Sequence, residues 1–403
     1  MFYFYLSSII LVYFSVELFK TIFVIILTNE IRRISKVLDS SKLILLIIFL
    51  CSSIWLISSK HLISIWLAME CQSFSLILLL FFDNDNKIEN IEAIIKYFVI
   101  SAFGGIIFLV GIFQALQFSG SGSLSAGLLT ESLNYYWIFL SSPLLLKIGI
   151  SPLHVWIPEV YKGLSWQGLS LISVVPKVTL LYVLISLPKN SGILFFLGVL
   201  SIIVGSIGGL NQSNLKTLLG FSGIGHFGFI LIILAMSSEH VSLCLFYVSI
   251  YLLTSISVLI LSSERGKSLL VEFGNYFSNS WAKGIIFGIL ILSLLGFPPL
   301  SGFISKLIVL INSLKLSSNI FLILIILFFI MISSFYYLRL FKIIMSESKE
   351  LYFSWEMIFL KKNLIEGSSI FLSFSIFFTI FLFLNPSILF LWSQFILNDF
   401  MSN

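Results

Sequence analysis

Eight charged side chains stand inside apolar stretches of this sequence: Lys20, Lys96, Lys147, Lys177, Lys306 and Arg339, with only Glu17 and Glu70 as acids among them. A charge at the centre of a bilayer costs roughly 2.5–3.5 kcal/mol on insertion scales. Four such groups would cost roughly 10–14 kcal/mol, comparable to the stability of a whole domain. They must be neutral part of the time, paired, or hydrated. Arg339 and Lys20 lie about two turns from an inner edge and can snorkel. Glu17 and Lys20 are three apart on one helix face and can pair with each other. Lys96, one turn into its helix, admits both snorkelling and a functional reading. Lys147, Lys177, Lys306 and Glu70 are near mid-span, too deep to snorkel, and read as functional.

The chemistry open to them is proton transfer. Desolvation disfavours a charged ammonium, and a nearby carboxylate favours it. Moving a Glu–Lys pair together or apart therefore changes the proton affinity of the lysine, which makes a switchable proton carrier. His154, just after Pro152, and His226, within GFSGIGHFG, can relay protons near neutral pH. A lone buried histidine is more often a hydrogen-bonded core residue, so each gives a weaker signal than the lysines.

These groups need a membrane scaffold. The 403 residues are 59% hydrophobic, 16% aromatic and 10% charged, with a mean hydropathy of +1.10. Soluble domains carry about 25% charged residues. That excludes a soluble enzyme, a disordered tail and a nucleic-acid binder, despite a net charge of +5. Hydropathy predicts an all-α polytopic membrane protein of roughly twelve spans. Their approximate extents are 2–28, 42–59, 62–82, 92–117, 131–161, 165–187, 191–210, 215–237, 241–262, 281–315, 318–345 and 366–394. With both termini outside, the inner loops and edges hold fourteen Lys and Arg and the outer ones three, a positive-inside bias. The N-terminus has no basic leader and carries Glu17 and Lys20, so it reads as a first spanning helix and not as a signal peptide.

Two spans are interrupted. Segment 131–161 carries Pro152 and Pro158, and segment 281–315 carries Pro298 and Pro299. Proline removes a backbone donor, and in lipid the freed carbonyls need protein or water partners. One broken segment in each half points to a repeat-built transporter with its pathway at the breaks. The expected organisation is a single membrane domain, 1–403, holding two five-helix repeats, 42–187 and 191–345, of inverted topology, and a C-terminal helix, 366–394. The GIGHFG run at 223–228 matches a dinucleotide fingerprint but lacks a βαβ context, and its glycines read as helix-packing positions. Cys51, Cys71 and Cys244 are too scattered for an iron–sulfur cluster or structural zinc, so no cofactor or metal is expected in this chain.

Several motifs carry a family. LLLKIGISPLHVWIPEVYKG at 144–163 resembles the broken-helix motif of the antiporter-like membrane-arm subunits of respiratory complex I. GGLNQSNLKTLLGFSGIGHFGFIL at 208–231 and LLGFPPLSGFISKLIVL at 294–310 resemble two further motifs, in the right order. IWLAMECQSF at 65–74 resembles the segment bearing the family's glutamate, and AIIKYFVISA at 93–102 the next helix with its lysine. Among the paralogous branches, the NQSNLK loop and a lysine at 306 resemble subunit 2. The resemblance implies that Glu70 and Lys147 form the pump pair, Lys96 modulates it, Lys177 connects and Lys306 is terminal. His154 matches the histidine after the broken helix. Cys71 and Gln72 after Glu70 depart from the usual residues. The resemblance also implies that two N-terminal helices of bacterial members are lacking here.

The expected function is proton translocation within NADH:ubiquinone oxidoreductase, with no redox chemistry in this chain. FMN, iron–sulfur clusters and ubiquinone would belong to other subunits. The partners implied are other membrane-arm subunits, accessory chains and lipids, with no nucleic acid. The shortened N-terminus and an AT-rich residue usage point to the mitochondrial inner membrane, with both termini facing the intermembrane space. Three alternatives stay open: a cation/proton antiporter subunit, a structural subunit whose charges are packing glue, and a small-solute carrier.

Overall fold

The computed structural model describes residues 40–82, 88–119, 122, 133–187, 190–236, 241–263, 268–270, 281–316, 320–346 and 367–387. The expected first span, 2–28, lies outside them. Thirteen helices follow one another in the described residues: α1 Ser40–Ser58, α2 Leu62–Phe82, α3 Ile88–Ser119, α4 Leu133–Ile148, α5 Trp156–Gly163, α6 Trp166–Ser186, α7 Ser191–Leu210, α8 Leu215–Ala235, α9 Val241–Ser263, α10 Trp281–Leu295, α11 Ser301–Leu316, α12 Ile320–Ser346 and α13 Gly367–Leu384. Among the described residues, Asn214 and Leu269 form an isolated antiparallel bridge. Eight of the helices are long and apolar enough to cross a membrane, and shorter apolar helices accompany them. In lipid every backbone polar group must be satisfied within the segment, which is why these runs are helical throughout.

Short polar caps set the starts of the interior helices. Ser165 Oγ accepts from Gly168 N before α6, Asn190 Oδ1 from Ile193 N before α7, and Asn214 Oδ1 from Lys216 N before α8. Each takes up one of the donors that a helix start leaves free. Asn214 belongs to the NQSNLK loop, so that motif contains a helix start.

Helices α8 and α9 form the centre: 83% and 78% of their most apolar windows are buried, against 28% for α1 and 22% for α12. The outer helices expose Ile44, Phe113, Phe321 and Phe328, as lipid contact requires. Helix α7 packs along α8, with a Cβ at Gly205 or Gly198 coming within 3.0 Å of α8 backbone atoms, so only glycine permits that approach.

The two interrupted segments are broken as expected, and the breaks have one local form. Helix α4 ends at Ile148 and α10 at Leu295. Each is followed by a glycine in the left-handed region, Gly149 at φ 85° and Gly296 at φ 87°, with a proline three residues on. The peptides Ser151–Pro152 and Pro298–Pro299 are cis. Sequence hydropathy merged each pair of half-helices into one long segment, because the break residues are themselves apolar. The first break leaves an eight-residue α5, the second a sixteen-residue α11. The described part of the last helix ends at Leu384, and 388–394 of the expected C-terminal helix lie outside the described residues.

Candidate functional site

The site begins at the end of α4. Lys147 is the penultimate residue of that helix, where the backbone turns at Gly149. Its Nζ lies 3.1 Å from Glu70 Oε1 of α2, with side-chain exposures of 4% for the lysine and 15% for the glutamate. Ser73 Oγ lies 3.5 Å from the other carboxylate oxygen. Trp66, one turn before Glu70, donates its indole N–H to the Gly105 carbonyl of α3 at 3.1 Å. The carbonyls freed by the break find side-chain donors: Trp156 Nε1 reaches Leu146 O at 3.0 Å.

The second break is satisfied differently. Lys306 of α11 donates to Leu294 O at 2.8 Å and to Leu295 O at 2.7 Å, the carbonyls at the open end of α10. A cation there meets the negative end of the helix. Its Nζ also sits 5.9 Å from the Phe229 ring centroid.

Lys177, 2% exposed, stands on α6. Its Nζ faces the rings of Tyr161 at 5.4 Å and Phe227 at 5.1 Å, the cation–π substitute for a carboxylate. A Cβ on Gly223 of α8 would lie 3.8 Å from Lys177 Nζ and 3.1 Å from the Tyr251 hydroxyl.

His226 is one turn further along α8. Its Nδ1 is 2.8 Å from the Tyr247 hydroxyl, and its Nε2 is 3.4 Å from the Tyr337 hydroxyl. A neutral imidazole offers one donor and one acceptor, which two phenols can serve at once. A cavity of about 20 Å³ lined by Ser206, Ser222, His226, Lys306, Tyr336 and Tyr337 adjoins it. That is enough room for a water molecule.

The remaining expected residues stand apart from this buried row. Lys96, about two turns before Gly104 on α3, bonds Glu92 Oε1 at 2.8 Å and Glu159 Oε2 at 2.7 Å, with 40% of its side chain exposed. These three with Glu89, Lys162 and Gly163 line an open pocket of about 260 Å³. His154 lies half-buried in the first break, its Nδ1 3.2 Å from Pro152 O. Arg339 donates to Gln212 O at 2.6 Å, tying α12 to the loop before α8.

Sequence reasoning missed Tyr161, Tyr247, Tyr251, Tyr336 and Tyr337, all of them buried. A signal existed for all but Tyr161: tyrosine in membrane helices is concentrated at the interfaces, and the other four lie inside long apolar helices. It also missed Lys216, which is buried, donates to Leu164 O and lies 5.0 Å from the Trp166 ring.

Comparison with known proteins sets this geometry in context. The transmembrane family described as NADH:quinone oxidoreductase/Mrp antiporter matches residues 59–333. NADH-ubiquinone oxidoreductase chain 2 of Anopheles gambiae is 34% identical over 303 residues, covering 74% of this chain and 84% of that protein. NADH-quinone oxidoreductase subunit N of Francisella tularensis subsp. holarctica is 28% identical over 361 residues, 81% of this chain and 73% of its own. Among solved structures, respiratory complex I from Thermus thermophilus with bound aureothin contains a chain that aligns with a TM-score of 0.73 at 24% identity, over 86% of this chain and 78% of that one; the likeness is one of fold.

Proposed function

The chain belongs to the NADH:quinone oxidoreductase/Mrp antiporter transmembrane family, and from that membership we propose that it is a proton-translocating, antiporter-like membrane-arm subunit of an NADH:ubiquinone oxidoreductase, of the subunit 2 type. The observation that carries the mechanism is the buried Glu70–Lys147 pair at a helix break. In the proposed relay Glu70 holds Lys147 charged. When the pair loosens, the proton passes towards Lys177 and on through the His226 region to Lys306. Lys96 and His154, on the exposed side of the row, modulate loading. The phenols of Tyr247 and Tyr337 support this path by placing hydroxyls on both ring nitrogens of His226.

The chain carries no cofactor in this reading. Moving one charge across a potential of about 100 mV costs roughly 2.3 kcal/mol. That energy comes from partner subunits of the membrane arm, where FMN, iron–sulfur clusters and ubiquinone belong to other chains. Two inverted five-helix repeats, 42–187 and 191–345, are part of the proposal, within a twelve-helix chain ending in helix 366–394. The matched glycine turns after α4 and α10 support the repeats. The membrane is proposed to be the mitochondrial inner membrane, with both termini towards the intermembrane space.

Arginine at position 147 tests the relay. Arg keeps the charge and pairs carboxylates well, but a guanidinium stays protonated at any physiological pH. Lys147→Arg is expected to assemble, on native gels, and to lose proton translocation per NADH in sealed vesicles. Near-normal translocation by the assembled variant would leave Lys147 only an electrostatic role.

A second reading, packing glue, has one observation of its own: Lys306 closes the open end of α10. Pumping that survives neutral substitution of both Lys147 and Lys177 would favour it. The cation/proton antiporter reading shares every buried lysine and predicts cation flux in the absence of a redox partner.

A further inference from the structure

We propose that Gly105 of α3 is a positioning residue, a side-chain-free seat that holds the Glu70 carboxylate against the Lys147 ammonium. Its consequence for pumping rests on the relay described above; its geometry does not.

Glu70 lies over the Gly105 backbone. A Cβ at position 105 would collide with Glu70 Oε1 and come within 2.9 Å of Cδ. At the neighbouring Gly104 the nearest atoms are Lys147 Cε at 3.4 Å and Cγ at 3.7 Å, close to ordinary contact. The two glycines are both buried on one helix, so they share propensity and surroundings and differ in what an added methyl would meet. Glycine is intrinsically poor in a helix interior, so alanine at either site would favour the helix itself.

The seat is fixed in register. Trp66 and Glu70 stand one turn apart on α2, and Trp66 donates to the carbonyl of Gly105 itself. The indole ties α2 to α3 at the residue over which the carboxylate rests. From there Glu70 Oε1 reaches Lys147 Nζ at 3.1 Å, and Glu70 has no other ion-pair partner among the described residues. The atoms that a methyl at 105 would displace are the far end of a flexible side chain and not backbone. The helices can therefore stay where they are while the carboxylate moves.

The test compares Gly105→Ala, Gly104→Ala and Gly105→Ala with Glu70→Asp, each in the intact membrane complex. The readouts are the Glu70–Lys147 separation by electron cryo-microscopy and proton translocation per NADH in sealed vesicles. Gly105→Ala is expected to assemble with the pair parted beyond hydrogen-bond reach. Its translocation should fall on the order of tenfold, since misplacing a reacting group by about 1 Å commonly costs that much or more. Gly104→Ala should keep both the contact and the pumping. Glu70→Asp should recover part of what Gly105→Ala loses, because the shorter carboxylate clears the methyl. An unchanged separation in Gly105→Ala, or equal losses in the two alanine variants, overturns the proposal. If Gly105→Ala alone fails to assemble, the double variant must restore assembly, and its failure also overturns it. A parted pair with normal translocation upholds the seat and refutes the relay.

Discussion

The three deepest lysines are held in three different ways: Lys147 by a carboxylate, Lys177 by two aromatic faces, Lys306 by two carbonyls. Their substitutions should therefore differ in stability even where they agree in activity. Lys306→Leu leaves Leu294 O and Leu295 O without their donor, and a buried acceptor left unsatisfied costs about 1–3 kcal/mol. The expected outcome is a clear fall in the thermal inactivation temperature of the purified complex, with Lys306→Gln falling less. Lys177→Leu, which removes only ring contacts, should leave that temperature nearly unchanged. A smaller effect at 306 than at 177 would contradict the capping role. The depth of Glu70 and Lys147 was legible in the sequence, because apolar runs report how far a residue sits from water. The seat at Gly105 was not, because hydropathy carries no information about which direction a helix face points.

At the scale of the elements, the breaks are turns built on glycine. The prolines made them visible, but the backbone departs from the helix at Gly149 and Gly296, before either proline. A left-handed conformation costs a non-glycine residue about 1–2 kcal/mol. At Gly149 an added Cβ would also overlap the buried Ile157 side chain, whereas at Gly296 the nearest atom is Cδ of Lys306 at 3.0 Å, which can shift. Gly149→Ala should therefore reduce the amount of assembled complex on native gels more than Gly296→Ala does; the reverse order would sink the argument. The half-helices were unreadable as separate elements for a physical reason. Ile150, Leu153 and Val155 in the first break, and Phe297 and Leu300 in the second, are as apolar as the helices they join, so composition shows no gap.

For the whole molecule, the proposed orientation places tags in the 263–280 loop and after residue 362 on the matrix side. Labelling from the opposite face at either position would overturn the arrangement. The breaks also bear on how the chain enters its membrane. At 1.5 Å per residue a helix needs about 20 residues to cross the hydrocarbon layer. Helices α4 and α5 have 16 and 8 residues, and α10 and α11 have 15 and 16. In its described extent each member of either pair is shorter than that, and the turn between them places peptide groups where lipid cannot solvate them. For α11 a receiving surface, α8 and α9, precedes it in the chain and can already be in place, whereas α10 packs on α9 before it and on α12 after it, Gly288 meeting Phe341 and Met345. For α4 and α5 the receiving surface is divided: α3, which precedes them, packs on both, with Gly163 of α5 against Glu89 and Ala93, while Tyr161 and Ile157 of α5 also pack on Gly220 of α8, which emerges from the ribosome more than fifty residues later. During synthesis the first broken helix can therefore dock on α3 at once, and the face of α5 that meets α8 stays uncovered until α8 arrives.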